Sequence, residues 1–125
     1  MRYALLINFP QPTVATVSEE AMEAGKTAFR AYAKALTEAG VLCSAEMFQP
    51  AGSSTSITVR EGKLQMQDRS IPDNQETLAG IFMIDVPDVD AAIEWAGKCP
   101  AAQWGSVEIR ASAMRVVDGE WERVS

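Results

Sequence analysis

A strand–helix–strand unit between Leu78 and Arg110 is the sequence feature that most constrains the fold of this chain. Residues 78–86 form a mostly apolar run of strand length, which Pro87 ends. Asp88 then stands at the position of an N-cap, where a carboxylate accepts hydrogen bonds from the free N–H groups of the first helical turn. One face of the following helix is predicted to be buried: Val89, Ala92, Ile93 and Ala96. Residues 106–110 alternate polar and apolar, which predicts a half-buried strand.

The N-terminal half repeats this alternation of strands and helix. A first strand is predicted over residues 2–9, and the next segment has a capping-box pattern from Thr16 to Glu19, with Ser18 as a competing N-cap. A long amphipathic helix follows, and Gly40 is a natural stop for it. Its apolar face is predicted from helical spacing: Met22, Phe29, Tyr32, Ala33 and Leu36.

Three further strand segments are predicted before the central unit, and two more after it. Residues 41–48 have strand character, and residues 55–60 and 63–67 form a predicted hairpin around Glu61-Gly62. Near the C-terminus, Asp118-Gly119 separates two alternating runs, which is a strong hairpin signal. Residues 68–77 are a polar loop.

These elements predict one α+β domain over residues 1–125, with a C-terminal strand or hairpin at about 113–124. We expect a ferredoxin-like, mainly antiparallel sheet with two helices on one face. The strand at residues 81–84 is apolar on both of its faces, so the face without helices also needs cover. The economical solution is a homodimer that packs sheet against sheet.

Composition excludes several classes of function. A net charge of −6 argues against nucleic-acid binding, which requires clustered Lys and Arg. No apolar run approaches the ~18–20 residues that span a bilayer, so no membrane association is predicted. The apolar N-terminus superficially suggests a signal peptide, but it is short and Pro10-Gln11-Pro12 follows in place of a cleavage site. We therefore expect a cytoplasmic protein.

The absence of histidine is the strongest constraint on chemistry. The commonest near-neutral acid–base group and the commonest transition-metal ligand are both missing. Cys43 and Cys99 match no metal spacing and no CxxC motif, and we expect two buried free thiols, although a disulfide stays open if the fold brings them together. No metal site and no cofactor is predicted.

The order and spacing of several short segments resemble the YCII-related family, and within it the DGPF-type proteins, over nearly the whole chain. The matching segments are residues 1–7, 39–42, 45–50, 58–60, 76–80, 84–92, 99–102 and 105–110. The resemblance implies a ferredoxin-like fold that dimerises into an α+β barrel. It also implies a regulatory association with extracytoplasmic-function sigma factors. The resemblance also implies that some relatives in the wider family use a His–Asp pair, and one branch resembles dehydrochlorinases or lactone isomerases.

The chain departs from that pattern at two places. The tetrapeptide Asp-Gly-Pro-Phe of DGPF-type proteins falls on Asp68-Arg69-Ser70-Ile71, so the aspartate alone is kept. The histidine of the His–Asp pair has no counterpart. We therefore expect a dimeric small-ligand-binding or regulatory accessory module without histidine-based catalysis. The alternative is a small isomerase or lyase in which Asp68 is the base and Arg60 holds a substrate carboxylate.

Asp68, Arg60 and Glu46 are the candidate ligand-binding residues, for a small anionic or cyclic ligand. Asp68 is the candidate base, or else caps a turn through backbone N–H groups. Glu46 and Arg60 stand in neighbouring predicted strands among apolar residues, where both could point into a cleft between the sheet and a dimer partner and the arginine could hold a ligand acid. The alternative is a structural ion pair between these two residues, or with Glu108 or Arg110.

Three further features have both a functional and a structural interpretation. Lys26, Arg30 and Lys34 form a basic stripe on the first helix, which either docks an acidic partner or is a solvated face. Tryptophans at positions 95, 104 and 121 are core or interface residues, although Trp104 could stack on a planar ligand. Cys99 is a poor nucleophile because no histidine can activate it.

Overall fold

A computed structural model describes residues 1–10, 18–49, 54–67 and 76–123. In chain order the strands are β1 (Arg2–Pro10), β2 (Leu42–Met47), β3 (Ser56–Arg60), β4 (Lys63–Gln67), β5 (Glu76–Asp85), β6 (Ser106–Ala111), β7 (Met114–Val117) and β8 (Glu120–Arg123). The helices are α1 (Glu19–Glu38), α2 (Val89–Lys98) and α3 (Ala101–Trp104). The predicted elements are confirmed, with small shifts at their ends; the short helix α3 was not predicted.

Four of these strands form one antiparallel sheet in the order β2–β5–β1–β6. The predicted α+β class with an antiparallel sheet is therefore confirmed. The remaining strands form two separate hairpins, β3–β4 and β7–β8. Both hairpins turn through consecutive residues of positive φ, Glu61-Gly62 and Asp118-Gly119, because such a turn matches the right-handed twist of the strands on either side.

The core lies between the sheet and the two long helices. Alternate residues of the central strands point into it, because side chains alternate between the two faces of a strand. The buried side chains of β1 are Tyr3, Leu5 and Ile7, and those of β5 are Phe82 and Ile84. Tyr32 and Leu36 of α1 and Ala92 and Ala96 of α2 cover them.

The predicted inner face of α2 is half wrong. Ala92 and Ala96 are buried as predicted, but Val89 and Ile93 are about half exposed. Cys99 follows the two alanines at helical spacing and is buried. The helix is therefore turned toward the side of Cys99, and Ile93 lies more than a quarter-turn away from the line of contact.

Both long helices begin as the sequence predicts. Ser18 caps α1, and its hydroxyl accepts a hydrogen bond from the Ala21 N–H at 3.2 Å. Asp88 caps α2 by accepting from the Ala91 N–H at 2.9 Å. Thr16, the competing cap of α1, lies outside the described residues. At its other end α1 stops before Gly40, whose φ of 74° favours glycine.

Candidate functional site

The sheet has a second face, opposite the helices, which we call the open face. The strand register defines two rows of side chains across it. The first row is Glu46, Ile81, Leu6 and Glu108, and the second is Ser44, Met83, Ala4 and Arg110. In both rows the central two side chains are apolar and half-buried, whereas the outer two are polar and exposed. The open face is thus an apolar floor with charged margins.

The charged side chains at these margins form only weak interactions with other described residues. Glu108 and Arg110 lie 4.0 Å apart (Oε2 to Nε), with more than half of each side chain exposed. An exposed ion pair of this length contributes little stability. Glu46 has no ion-pair partner among the described residues. These carboxylates and this guanidinium are therefore available to a ligand.

A second polar group lies at the end of the sheet that holds Arg2. The Arg2 guanidinium approaches the Cys43 sulfur at 3.2 Å. The N-terminal ammonium group donates to the Val86 carbonyl at 2.7 Å and contacts the Asp85 carboxylate at 3.2 Å. Cys43 is exposed, so the prediction of two buried thiols is wrong for this residue. The register of β2 shifts between Leu42 and Ser44, at the position of Cys43.

The structure does not bring Arg60 to Glu46. Glu46 lies in the four-stranded sheet, whereas Arg60 lies in the β3–β4 hairpin. The Arg60 guanidinium donates to the carbonyl of its neighbour Val59 at 3.1 Å and is exposed. Over the described residues, neither side chain joins an ion pair with the other or with Glu108 or Arg110. The structural ion pair considered from the sequence is therefore not formed.

Asp68 lies outside the described residues, in the interval 68–75. Its assignment as a base, or as a turn cap, stays a prediction. The segment that contains it begins directly after β4 and ends where β5 begins.

Comparison with known proteins supports the resemblance drawn from the short segments. A family model described as the YCII-related domain matches residues 1–113. The chain belongs to the YCII-related family. No curated protein matches it. The family match covers the whole four-stranded sheet and the β3–β4 hairpin of this YCII-related chain, but it ends before the β7–β8 hairpin.

The basic stripe on α1 is largely neutralised by its own helix. The Lys26 ammonium lies 3.4 Å from a Glu23 carboxylate oxygen, and Lys34 lies 3.9 Å from Glu38. Arg30 has no ion pair with any described residue. Both lysine pairs are exposed and have helical spacing, which is typical of a solvated helix face. The geometry therefore favours the open face, rather than this stripe, as the candidate functional site.

The three tryptophans of this YCII-related protein differ in their surroundings. Trp95 is half-buried, packs edge-on against Tyr32 at 6.4 Å and carries the Lys98 ammonium over its ring at 5.0 Å. Trp104 packs against Phe9 at 6.2 Å, and its ring lies close to Gly25 of α1. It is therefore part of an aromatic cluster at the edge of the core. Trp121 is the most exposed large hydrophobic side chain among the described residues.

Cys99 has the surroundings of a structural thiol. It is buried, and this burial raises the pKa of the thiol, while a backbone hydrogen bond from Ala101 acts in the opposite direction. A raised pKa reduces the thiolate fraction, and the thiolate is the nucleophile. Cys99 is therefore unsuited to nucleophilic chemistry, as the sequence predicts.

Other kinds of site find no support in the parts of the chain that the structure describes. No group of three or more Asp, Glu or Cys side chains there could hold a metal ion. None of the helices there is long and apolar enough to span a membrane.

The residues that the sequence analysis missed are those of the opposite margin. Glu108 and Arg110 entered it only as alternative ion-pair partners. The alternation of residues 106–110 did place both on the face opposite Val107 and Ile109. The sequence does not reveal that this strand lies beside β1, where Leu6 joins Glu108 to Ile81 and Glu46 across the sheet.

Proposed function

We propose that this YCII-related protein is a dimeric module that binds a small cyclic or amphipathic acid on the open face and serves an accessory or regulatory role. The observation that carries this proposal is the pattern of the open face. Its apolar floor suits a ring, and its charged margins suit a polar substituent. Pockets for small molecules typically combine an apolar lining with a few placed polar groups.

The candidate residues fit this proposal by their place in the chain. Glu46 is the margin residue on β2, and β2 ends one residue later. The connection over residues 48–75 leaves the sheet there and returns at β5, which pairs with β2. Arg60 and Asp68 both belong to this connection. We propose that they contribute polar contacts to a ligand that Glu46 also touches, and Arg60 provides the positive charge for its carboxylate.

The strand order supports the ferredoxin-like outline. Without the β3–β4 hairpin, the strands of the sheet follow one another in the chain as β1, β2, β5 and β6, and lie in the order β2–β5–β1–β6 with all neighbours antiparallel. A second copy facing the open face would enclose its apolar floor, with the ligand between the two sheets, and form the dimeric barrel. We propose a DGPF-type homodimer on this basis, and we keep the cytoplasmic location expected from the sequence as part of the proposal.

A ligand titration followed by NMR tests the proposal. Cyclohexanecarboxylate combines a ring with a carboxylate, and acetate is its control without the ring. We expect the ring acid to bind at least tenfold more tightly and to shift the resonances of Leu6, Ile81 and Met83. Arg60→Gln should weaken binding at least about tenfold, because a charge-assisted hydrogen bond contributes about 1.5–3 kcal/mol.

Arg30→Gln on α1 is the matched control, since it removes the same charge from a helix on the other side of the sheet from the open face. Equal binding by Arg60→Gln and the wild type would contradict the assigned role of Arg60. Binding of the ring acid no tighter than acetate would contradict the ligand class. Turnover of a lactone that disappears in Asp68→Ala would instead favour an isomerase or lyase.

A further inference from the structure

We propose that the two hairpins, β3–β4 and β7–β8, are arms that hold a second copy of this chain. The inference rests on the dimer of the proposed function and goes beyond it. The two hairpins bind the partner, and each copy is enclosed partly by segments of the other.

The β3–β4 hairpin has one apolar face and one polar face. Ile57 lies opposite Met66, and Val59 lies opposite Leu64. These four side chains therefore project from the same face, and each is 57–62% exposed. The other face carries Thr58, Gln65 and charged residues near the turn.

The β7–β8 hairpin also has a largely apolar face. Val116 lies opposite Trp121, and Met114, two residues before Val116 on that face, lies opposite Arg123. Trp121 is 69% exposed. On the opposite face, Arg115 and Glu122 form an ion pair at 3.4 Å. This arm lies beyond the family match at residues 1–113, so it is a feature of this chain rather than of the matched domain.

Exposure of these two apolar faces to water is unfavourable. An isolated two-stranded hairpin is marginally stable in water. Burial of a large apolar side chain is worth about 1.5–3 kcal/mol, so seven such side chains left exposed forgo a large stabilisation. Together they offer several hundred Å² of apolar surface, which approaches the ~800 Å² that each partner buries in a standard interface. A second copy supplies an equal amount.

The two arms leave the sheet at diagonally opposite corners. At one end of the sheet, which holds Pro10, Met47 and Glu76, edge strand β2 ends, and the β3–β4 arm is the next element of the chain that the structure describes. At the other end, the Ser112 N–H donates to the Arg2 carbonyl, and edge strand β6 runs directly into the β7–β8 arm. Each copy therefore has two corners with an arm and two without.

A twofold axis makes this arrangement complementary. Two copies packed open face to open face, with the axis parallel or perpendicular to the strands, place each arm of one copy at an armless corner of the other. Sheets in direct contact lie about 10 Å apart, and a ring held between them widens this gap. A five-residue strand such as β3 is about 17 Å long, so the arm can cross that gap and contact the partner.

The distribution of charge also favours a second copy of this chain as the partner of the arms. Arg60 and Lys63 face each other beside the turn of the β3–β4 arm, and Glu61 lies in the turn itself. The margins of the open face carry Glu46, Glu108 and Arg110, and the chain as a whole has a net charge of −6. This arm, with two cations and one carboxylate near its tip, thus meets a surface with more carboxylates than cations when the partner is a second copy of this acidic chain.

Sedimentation velocity over a range of protein concentrations tests the arms. Leu64→Glu charges the apolar face of the first arm, and Gln65→Glu puts the same charge on its polar face. Trp121→Ala and Glu122→Ala are the corresponding pair for the second arm. We expect the Leu64 and Trp121 variants to weaken the dimer at least tenfold and the two controls to change it less than threefold.

A measurement on the unsubstituted protein guards against a folding defect in the variants. Trp121 emission should shift to longer wavelength as the dimer dissociates on dilution, and this shift should vanish in Trp121→Phe. A dimer equally strong in Leu64→Glu and Gln65→Glu would overturn the arms but leave the dimer and its ligand site standing. A wild-type protein that is monomeric at all concentrations would contradict both the dimer and the role of the arms. The NMR titration would still test ligand binding independently.

Discussion

Gly105 shows how closely one residue can be constrained by its neighbours. It stands between α3 and β6, and an added Cβ would overlap the carbonyl oxygen of Asn8 in β1. The obstacle is backbone rather than a flexible side chain. Gly97, in the exposed part of α2, has open space where its Cβ would be.

Gly105→Ala should therefore lower the free energy of unfolding by about 1–3 kcal/mol, because a backbone has to move to admit the methyl group. Gly97→Ala is the control and should raise stability by about 0.5–1 kcal/mol, since alanine is the better helix former. Urea denaturation measures both. Equal effects of the two substitutions would show that the contact with Asn8 is relaxed without cost.

Tyr32 joins the two long helices. Its hydroxyl donates to the Trp95 carbonyl at 2.7 Å, in the last turn of α2, where carbonyls lose their helical partners. In that turn the Cys99 N–H bonds to Ala96 instead. Burial raises the pKa of Tyr32 above its usual value of about 10, and the nearby Cys99 adds to this shift.

Tyr32→Phe should cost about 1 kcal/mol at pH 8, because the hydrogen bond to Trp95 is lost. Since the folded-state pKa is raised, the Tyr32 contribution is complete below pH ~10. Above that pH the unfolded chain releases the proton first, so wild-type stability falls by up to about 1.4 kcal/mol per pH unit from this residue. The gap between the two proteins should narrow from pH 10 to 11. Urea denaturation measures the free energy of unfolding of both proteins at each pH. A difference between them that stays constant from pH 10 to 11 would contradict this account.

At the scale of a single element, the start of α2 depends on one side chain. Asp88 accepts from the Ala91 N–H, and its negative charge also suits the helix N-terminus. Asp88→Ala should destabilise the protein by about 1 kcal/mol, whereas Asp88→Asn keeps the acceptor and should cost only a few tenths. Thermal denaturation followed by circular dichroism compares the three proteins. An equal loss in both variants would assign the effect to charge rather than to the cap.

Elements were easier to predict from this sequence than their mutual placement. Turn residues, caps and alternation are local, and they correctly predicted both hairpins and the starts of both long helices. The partners of a strand are not local. Glu46 was placed in the correct strand, but Arg60 was grouped with it although β3 pairs with β4 in a separate hairpin. The exposure of Cys43 at the register shift of β2 likewise has no sequence signal.

The rotation of α2 shows the same limit. Helical spacing identified the alanines of its inner face, and it also favoured Val89 and Ile93 as the larger apolar residues. The small side chains of Ala92 and Ala96 face the sheet instead. Because they are small, α2 can lie close to the sheet. Which side of a helix faces the core is decided by its packing partner, and that partner is distant in the chain.

At the scale of the whole molecule, association and stability are coupled. A dimer that binds only in its folded form raises the unfolding temperature as protein concentration increases. We expect the midpoint of thermal unfolding to rise by several degrees between 1 and 100 μM for the wild type. Leu64→Glu should show a much smaller rise, and Gln65→Glu should follow the wild type. A concentration-independent midpoint for all three would contradict a dimer linked to folding.

The register shift in β2 has a consequence for aggregation. An unpaired sheet edge is a template to which further strands can add without limit. Here one edge is interrupted at Cys43 and carries Glu46, and the other edge carries Glu108 and Arg110. Bulges and charges are the usual protection of such edges. The edges of this sheet therefore oppose open-ended fibril growth, even though the hairpins of the same chain expose much apolar surface.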